Sequence, residues 1–485
     1  MWASVTRCAM ALLLLNVGVS AGAWAQSAPA AGGSGPPEAA PGEPGFTTQL
    51  FGSSRSTLLG DMWGLRTALG RYGIDLSITE TSEVLGNVTG GIQTGAAYDG
   101  LTTLTVGIDA EKAFGWVGGS FNISALQIHG RNLSADNLLS LQTASGIEAE
   151  RATRFWELWY MQKFEESNMD LKIGQQSLDQ EFIGSSFAGT FMNTMMGWPV
   201  VPSYDLYAGG PAYPLSSLGA RIRFHPSHSV TVLAGVFNDN PPGGPFNDDS
   251  QTRDREKYGL QFNFNTGALF IGEIQFAVNQ PVEGDLVTTG HTGLPGTYKL
   301  GFWFDTASFP NQRYDNTGLS LANPASTGIP QMDRRNFSIY GVADQVVWQP
   351  DPEEPQSLGV FARAMIAPGD RNLISFGLNL GMVLKAPLPG RDDDNFGIGF
   401  GLAKVGRNVS GLDRDTAFYT GAFTPIRSTE EFIEVTYQLQ LAQWWLLQPD
   451  FQYVFRPGAG LANPNSPNQL IRNEAVFGLR TTITF

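Results

Sequence analysis

The chain has 485 residues, and its 30 Lys and Arg residues are outnumbered by 45 Asp and Glu residues. This acidic balance disfavours nucleic acid as a partner. The 11 Trp, 13 Tyr and 31 Phe accompany a mean hydropathy of only −0.11, a combination that alternating membrane strands or a large soluble β-protein would give.

The N-terminus predicts a signal peptide at residues 1–25. Arg7 precedes an apolar run that is too short for a transmembrane helix, and an Ala-Trp-Ala cleavage pattern ends at Ala25. The expected mature N-terminus is therefore Gln26. The single cysteine, Cys8, lies inside the signal rather than at the cleavage point, so neither lipidation nor a disulfide is expected. A closed barrel can supply stability instead, because it pairs every strand edge.

Two further segments precede the predicted pore domain. Residues 26–58 are rich in Ala, Pro and Gly and predict a disordered periplasmic leader. Residues 59–72 predict a short periplasmic helix capped by Asp61, with a small plug or a simple surface helix as alternatives. The remainder, residues 73–485, is predicted to be a β-barrel pore domain.

Alternating apolar and polar residues mark the strands of this domain. In the segment 297–305, Tyr298 and Leu300 lie on one face while Lys299 and Asp305 lie on the other. A face of charged and amide groups suits a water-filled lumen, since the interior of a soluble barrel would be apolar. Seventeen segments are candidates: 73–84, 101–110, 116–128, 154–164, 168–176, 217–225, 228–237, 256–265, 268–279, 297–306, 335–348, 357–367, 372–385, 395–405, 430–442, 446–456 and 473–485.

Bacterial barrels of this class have even strand numbers, so one of these assignments must be wrong or one strand missed. Short turns belong on the periplasmic side and long loops outside, and this alternation breaks between residues 238 and 306. Residues 256–265 are therefore assigned in part to an extracellular loop, although their alternation is good. The expected fold class is all-β: a transmembrane antiparallel β-barrel of 16 strands with a short N-terminal helix.

A long loop at residues 177–216 is unusually rich in aromatic residues and proline. Such a loop is not expected to remain in solvent, because its apolar surface needs burial. We expect it to fold inward and constrict the pore. The alternative is a cap over the barrel mouth.

The C-terminal strand is the strongest single membrane signal. It alternates apolar residues such as Phe477 and Leu479 with polar ones such as Arg480, and it ends in Phe485. A terminal Phe on such a strand resembles the targeting signal that the bacterial barrel-assembly machinery recognises. An edge strand of a soluble sandwich is the alternative interpretation.

An ordered series of motifs from about Leu59 to Phe485 resembles the carbohydrate-selective porins, the OprB-type family of Gram-negative outer membranes. Each motif is weak alone, but their common order is specific. They include GNVTGG at 86–91, FWELWYMQ at 155–162, IGQQ at 173–176, LPGTYKLG at 294–301, YGVADQ at 340–345, EEFIEVTY at 430–437 and QPDFQY at 448–453. The resemblance implies a sixteen-stranded barrel that carries sugars by facilitated diffusion, with an arginine-rich eyelet whose members it does not assign.

Sugar passage needs aromatic faces that stack on pyranose C–H groups and polar groups that exchange hydrogen bonds with hydroxyls. Alternation places Glu157 and Trp159 on the lumen face of their strand, as a sugar-binding ledge, and Trp156, Leu158 and Tyr160 on the lipid face. The alternative is that Trp159 packs under the long loop.

Lumenal charges supply the other candidate site residues. Arg221, Arg223 and Arg363 alternate with apolar residues and should point inward, because arginine on the lipid face costs about 2–4 kcal/mol at the midplane. Together with Glu157 and Glu434 they are predicted to form a polar constriction. Ordinary salt-bridging within the lumen is the alternative.

The sequence indicates neither a catalytic set nor a metal-ligand spacing, so we expect no enzyme activity, no metal and no cofactor. Asp248 and Asp249 could bind divalent ions shared with lipopolysaccharide, or form a solvated loop. The expected partners are permeant sugars, lipopolysaccharide and outer-membrane lipid, and the barrel-assembly machinery, with the protein a monomer or homo-oligomer.

These features predict a multi-pass Gram-negative outer-membrane porin for facilitated diffusion of monosaccharides, with small oligosaccharides as a possible extension. A general diffusion porin or ion channel without a sugar site is the first alternative. A plugged structural or adhesive barrel is the second.

Overall fold

The barrel closes because the C-terminal strand pairs antiparallel with the first strand, from Thr79 opposite Thr484 to Gly91 opposite Arg472. The computed structural model describes residues 55–280, 293–351 and 354–485. The predicted signal peptide, the cleavage site before Gln26 and most of the predicted leader lie outside the described residues.

Sixteen antiparallel strands form the closed sheet, and a separate two-stranded hairpin lies before the last of them. The barrel strands are β1 (Ile74–Gly91), β2 (Gly95–Asp109), β3 (Gly119–Gly130), β4 (Ala152–Phe164), β5 (Met169–Gln176), β6 (Ser217–Ser227), β7 (Val230–Asn238), β8 (Ala268–Val278), β9 (Gly296–Asp315), β10 (Pro330–Trp348), β11 (Ser357–Ile366), β12 (Ile374–Lys385), β13 (Asn395–Val405), β14 (Thr429–Ala442), β15 (Trp445–Phe455) and β18 (Arg472–Thr484). The hairpin strands are β16 (Ala462–Asn463) and β17 (Ser466–Leu470).

Helical segments are short and lie between the strands or before β1. They are α1 (Leu65–Gly70), α2 (Ala110–Phe114), α3 (Thr194–Gly197), α4 (Val200–Asp205), α5 (Arg407–Thr420) and α6 (Pro457–Gly460). Within the described ranges, no helix is both long and apolar enough to cross a membrane.

The sixteen strands retained from the sequence are confirmed, and the seventeenth candidate, 256–265, lies in a loop. Residues Asp254–Tyr258 form a 3₁₀ turn that ends at Gly259, whose φ of 66° is incompatible with a strand. The Glu256 carboxylate pairs with Arg154 of β4. Since β7 pairs directly with β8, the sheet has no position for another strand here.

The outward and inward faces follow the predicted alternation on most strands. On β9, Tyr298, Leu300 and Phe302 are exposed on the outer face, whereas Trp303 and Asp305 are buried inside. The lumen is not filled by water alone, however, because many inward polar residues are buried under two loops that enter the barrel.

The prediction that Trp156 faces lipid is wrong. A register shift between Ile123 and Ala125 of β3 bulges the opposite segment of β4, so that Phe155 points outward in place of Trp156, while Leu158 keeps its predicted outward position. Trp156 is 8% exposed, and its indole N–H donates to the carbonyl oxygen of Leu215 at 3.3 Å. One extra residue therefore turns an expected membrane aromatic into an inner-wall residue.

The N-terminal helix is shorter than the predicted range of 59–72. Gly64, with φ of 90°, occupies the N-cap position of α1, but the Asp61 carboxylate still accepts a first-turn N–H, that of Thr67 at 2.7 Å, as a capping residue does. The guanidinium of Arg66 donates to the main-chain oxygen of Phe485. The helix is thus held against the end of the terminal strand, at the end of the barrel with the short turns.

The loop at residues 177–216, here called the inserted loop, lies inside the barrel as expected. Ile183, Met196 and Val201 are fully buried within the main apolar cluster. Glycines on the inward faces of neighbouring strands make room for it: a Cβ at Gly359 would lie 2.1 Å from the Phe187 ring. Gly377 and Gly397 leave similar space for Val200 and Phe191. The alternative of a cap over the mouth is therefore wrong.

Candidate functional site

Two of the predicted arginines meet a carboxylate of the inserted loop. Arg221 and Arg223 of β6 both bind Glu181, with Arg221 Nη2 at 2.9 Å from Oε1 and Arg223 Nη2 at 2.8 Å from Oε2. Lys172 of β5 also pairs with Glu181, and Arg221 pairs with Asp170. These five residues, here called the basic cluster, hold three cations against two carboxylates.

Glu181 stays ionised in this cluster. Burial alone would raise the pKa of its carboxyl, but the charges of Lys172, Arg221 and Arg223 lower that pKa to about 2. The ion pairs that hold this part of the inserted loop are therefore present at neutral pH and are lost only as the pH falls through about 2.

The two arginine side chains of the cluster are not equally exposed to the lumen. The Arg221 side chain is almost fully buried, whereas that of Arg223 is 32% exposed. Arg223 is therefore the arginine of the pair that a solute in the lumen can contact.

Trp159 lies beside the basic cluster on the same inner wall. The Lys172 ammonium is 4.5 Å from the centroid of the Trp159 ring, a cation–π geometry. Trp159 is partly exposed and lines a cavity of about 690 Å³ at the short-turn end, together with Asn122 and Lys163. It does not belong to the buried apolar cluster formed with the inserted loop. The role of Trp159 as a sugar-binding ledge stays a prediction.

The two predicted glutamates hold the inserted loop. Glu157 Oε1 accepts the backbone N–H of Ser177 at 3.0 Å. Glu434 is fully buried and accepts the N–H groups of Met192 at 2.5 Å and Asn193 at 3.2 Å. Neither glutamate pairs with a predicted arginine, so the expected Arg–Glu constriction is not formed by these residues.

Arg363 of β11 also binds the inserted loop. Its side chain is 1% exposed, and it donates to the backbone carbonyls of Ile183, Met195, Met196 and Gly197 and to Asn379 Oδ1. One guanidinium thus binds two separate stretches of the inserted loop. Arg363 and Glu434 have no surface left for a solute in this arrangement.

Three further wall residues, which were not predicted as site residues, also bind the backbone of the inserted loop. Glu273 accepts the N–H of Ile183 at 2.8 Å, Asp344 accepts that of Ser186 at 3.1 Å, and the Lys299 ammonium donates to Gly184 at 2.7 Å. All three wall residues lie at inward positions of their strands. Lys299 is flanked by Tyr298 and Leu300, a pattern that was visible in the sequence, whereas Asp344 is followed by the polar Gln345.

The loop between β3 and β4, residues 131–151, also enters the barrel and is here called the second loop. It contacts the inserted loop through Gly146 N–H to Met192 O at 2.8 Å and Thr143 Oγ1 to Thr194 Oγ1 at 2.6 Å. Glu430 of β14 accepts two of its backbone N–H groups at 2.7 and 2.8 Å. The two loops therefore narrow the lumen together.

One of the two loop carboxylates proposed as divalent-ion ligands has an ion-pair partner. In the part of the chain that the structure describes, no group of three or more His, Cys, Asp or Glu side chains could hold a metal ion. Asp248, proposed as a divalent-ion ligand, pairs with Arg253.

Comparison with known proteins agrees with this architecture. The family described as "Carbohydrate-selective porin, OprB family" matches residues 93–485. The chain belongs to the OprB family of carbohydrate-selective porins. It is a multi-pass porin of the Gram-negative outer membrane through which carbohydrates diffuse.

Individual relatives of this porin are distant in sequence but similar in extent. Porin B of Pseudomonas aeruginosa is 24% identical over 437 residues, covering 86% of this chain and 90% of the relative. Putative porin QuiX of Acinetobacter baylyi is 23% identical, covering 85% and 91%. The structure described as the high pH structure of Pseudomonas putida OprB has a TM-score of 0.76 at 22% identity and covers 90% of this chain and all of that one. This last likeness confirms the barrel fold.

Proposed function

We propose that this porin passes single sugar units along the wall formed by β4, β5 and β6, where Trp159 and the basic cluster face the lumen. The observation that carries the proposal is the partly exposed Trp159 ring beside Lys172, which shares the carboxylate of Glu181 with the partly exposed Arg223. The ring offers a stacking face, and the charged groups offer hydrogen bonds to hydroxyls. Monosaccharides are the proposed permeants, and small oligosaccharides would extend the same path.

We assign a different role to the remaining predicted residues. Glu157, Arg363 and Glu434 set the pore width indirectly, because they bind the backbone of the inserted loop. The membership in a porin family indicates a channel, and we propose no enzymatic step. Phe485 remains the proposed signal for the barrel-assembly machinery.

Trp159→Ala should weaken sugar block of the ion current about tenfold, about 1.4 kcal/mol, while the barrel still assembles. The stacking face is lost, but no closely packed core residue is removed. Trp159→Phe should give an intermediate value. The measurement is the half-blocking sugar concentration in planar bilayers, with assembly checked by heat-modifiable migration.

Trp156→Ala is the matched control, because it removes the same side chain three residues earlier. Trp156 packs in the inner wall, so its loss should cost about 3–5 kcal/mol of stability and leave sugar affinity unchanged. If Trp159→Ala fails to assemble, Trp159 is a packing residue. If it assembles and binds sugar normally, the site lies elsewhere on the wall.

Arg223→Gln should shift the ion selectivity of the pore toward cations. The substitution removes the most exposed cation of the basic cluster, so the formal charge of the cluster falls from +1 to zero. The reversal potential in a KCl gradient measures this shift. Arg71→Gln, which removes an exposed charge at the short-turn end, is the control and should leave the potential unchanged. An equal shift in both variants would show that Arg223 has no special place in the pore.

A further inference from the structure

A cleft of about 510 Å³ lies on the barrel at the long-loop end, where β12 and β13 meet α5. Its lining includes three cations, Lys404, Arg407 and Arg414. It also includes hydroxyl groups, among them those of Ser410 and Thr429. This site is called the rim cleft below.

The rim cleft lies directly above a lipid-facing apolar column. The outward residues of β13 are Phe396, Ile398, Phe400 and Leu402, and Lys404 is the next outward residue, paired with the outward Phe376 of β12. From Phe396 to Lys404 the strand advances about 26 Å, or about 20 Å across the membrane at the usual tilt. Lys404 is therefore at the height where acyl chains end and headgroups begin.

The cations of the cleft are poorly compensated. Among the described residues, Lys404 and Arg414 form no ion pair, although the charge of Arg414 contributes to lowering the pKa of the Asp415 carboxyl. Arg407 lies 3.8 Å from Asp370, the one carboxylate among the described residues that line the cleft. Asp370 is already paired with Arg371 at 2.9 Å. The cleft thus carries excess positive charge on a chain whose net charge is −15.

We propose that the rim cleft binds a phosphate group of an anionic outer-leaflet lipid, whose acyl chains lie along the outward columns of β12 and β13. Lysine and arginine side chains with nearby hydroxyls suit a phosphate, and arginine can bind it bidentately. The contiguous apolar column favours a lipid over a free anion. The site is on the outer wall, so it is independent of the sugar path.

The test compares binding of lipid A and of dephosphorylated lipid A to the purified porin in detergent, by native mass spectrometry. The wild-type protein should bind lipid A at least tenfold more tightly than the dephosphorylated form. Lys404→Gln, Arg407→Gln and Arg414→Gln together should abolish this preference. A triple control, Arg71→Gln, Lys112→Gln and Lys163→Gln, removes the same charge at the short-turn end and should keep it.

Three results would overturn the proposal: no preference for phosphorylated lipid A in the wild type, an unchanged preference in the cleft variant, or displacement of lipid A by millimolar inorganic phosphate. The last result would indicate an anion site to which acyl chains add nothing. If the triple variant does not assemble, Arg407→Gln alone decides the matter. Its side chain is 79% exposed, so folding should be unaffected, and lipid A binding should weaken severalfold.

Discussion

Deleting residues 184–211 should raise single-channel conductance severalfold, because the inserted loop fills much of the lumen along the walls of β8 to β15. Its buried residues, among them Met196 and Val201, occupy space that water and ions would fill. The wall residues that bind the loop, such as Arg363 and Glu434, would then be hydrated rather than left buried without partners. Planar-bilayer recordings measure the effect.

A deletion of the exposed segment 421–426, after α5, is the control and should leave conductance near the wild-type value. Both deletions must yield heat-modifiable barrels for the comparison to hold. Unchanged conductance in an assembled 184–211 deletion would mean that the second loop alone sets the pore width.

Arg363→Met should lower the free energy of unfolding of the barrel by about 3–5 kcal/mol and increase the noise of the open-channel current. The substitution keeps most of the side-chain volume but leaves four buried carbonyls of the inserted loop without their donor. The loop then loses its attachment to β11. The temperature of the heat-modifiable transition and the open-channel noise measure the two effects.

The matched control is Arg131→Met. The Arg131 side chain is 66% exposed and pairs with Asp136, so its loss should cost no more than about 1 kcal/mol. Equal destabilisation by both substitutions would show that the contacts of Arg363 with the loop contribute little.

The strands were predictable because the membrane imposes a local pattern. Every second residue of a membrane strand faces lipid and is apolar. Residues such as Tyr298 and Leu300 therefore identify their strand without knowledge of the neighbouring strands. The segment 256–265 shows the same alternation but has no partner strand. Only the even strand count and the order of short and long connections revealed that error.

The details of β4 were not predictable in the same way. The β-bulge opposite Ser124 changes which residues of β4 face inward, and no local signal in the sequence marks it. As a result, the lumenal position of Trp159 agreed with the prediction while Trp156 was assigned to the wrong face.

The site shows the limit of alternation more clearly. The alternating pattern of the strands correctly placed Arg221, Arg363 and Glu434 inside the barrel, but it could not predict what each side chain would bind. Arg363 binds residues about 170 positions earlier in the chain, and such a contact depends on how the inserted loop folds. Glu181 was missed because it lies in the inserted loop. A loop has no strand alternation from which the direction of a side chain could be predicted.

The most direct test of the central claim is liposome swelling with a hexose and with the open-chain hexitol of nearly equal size. The two solutes are uncharged and differ chiefly in the ring, which offers the C–H face that Trp159 would stack against. A carbohydrate-selective path at this wall predicts severalfold faster entry of the hexose in the wild type and similar rates for both solutes in Trp159→Ala. Equal entry rates in the wild-type porin would contradict it and indicate a general diffusion pore.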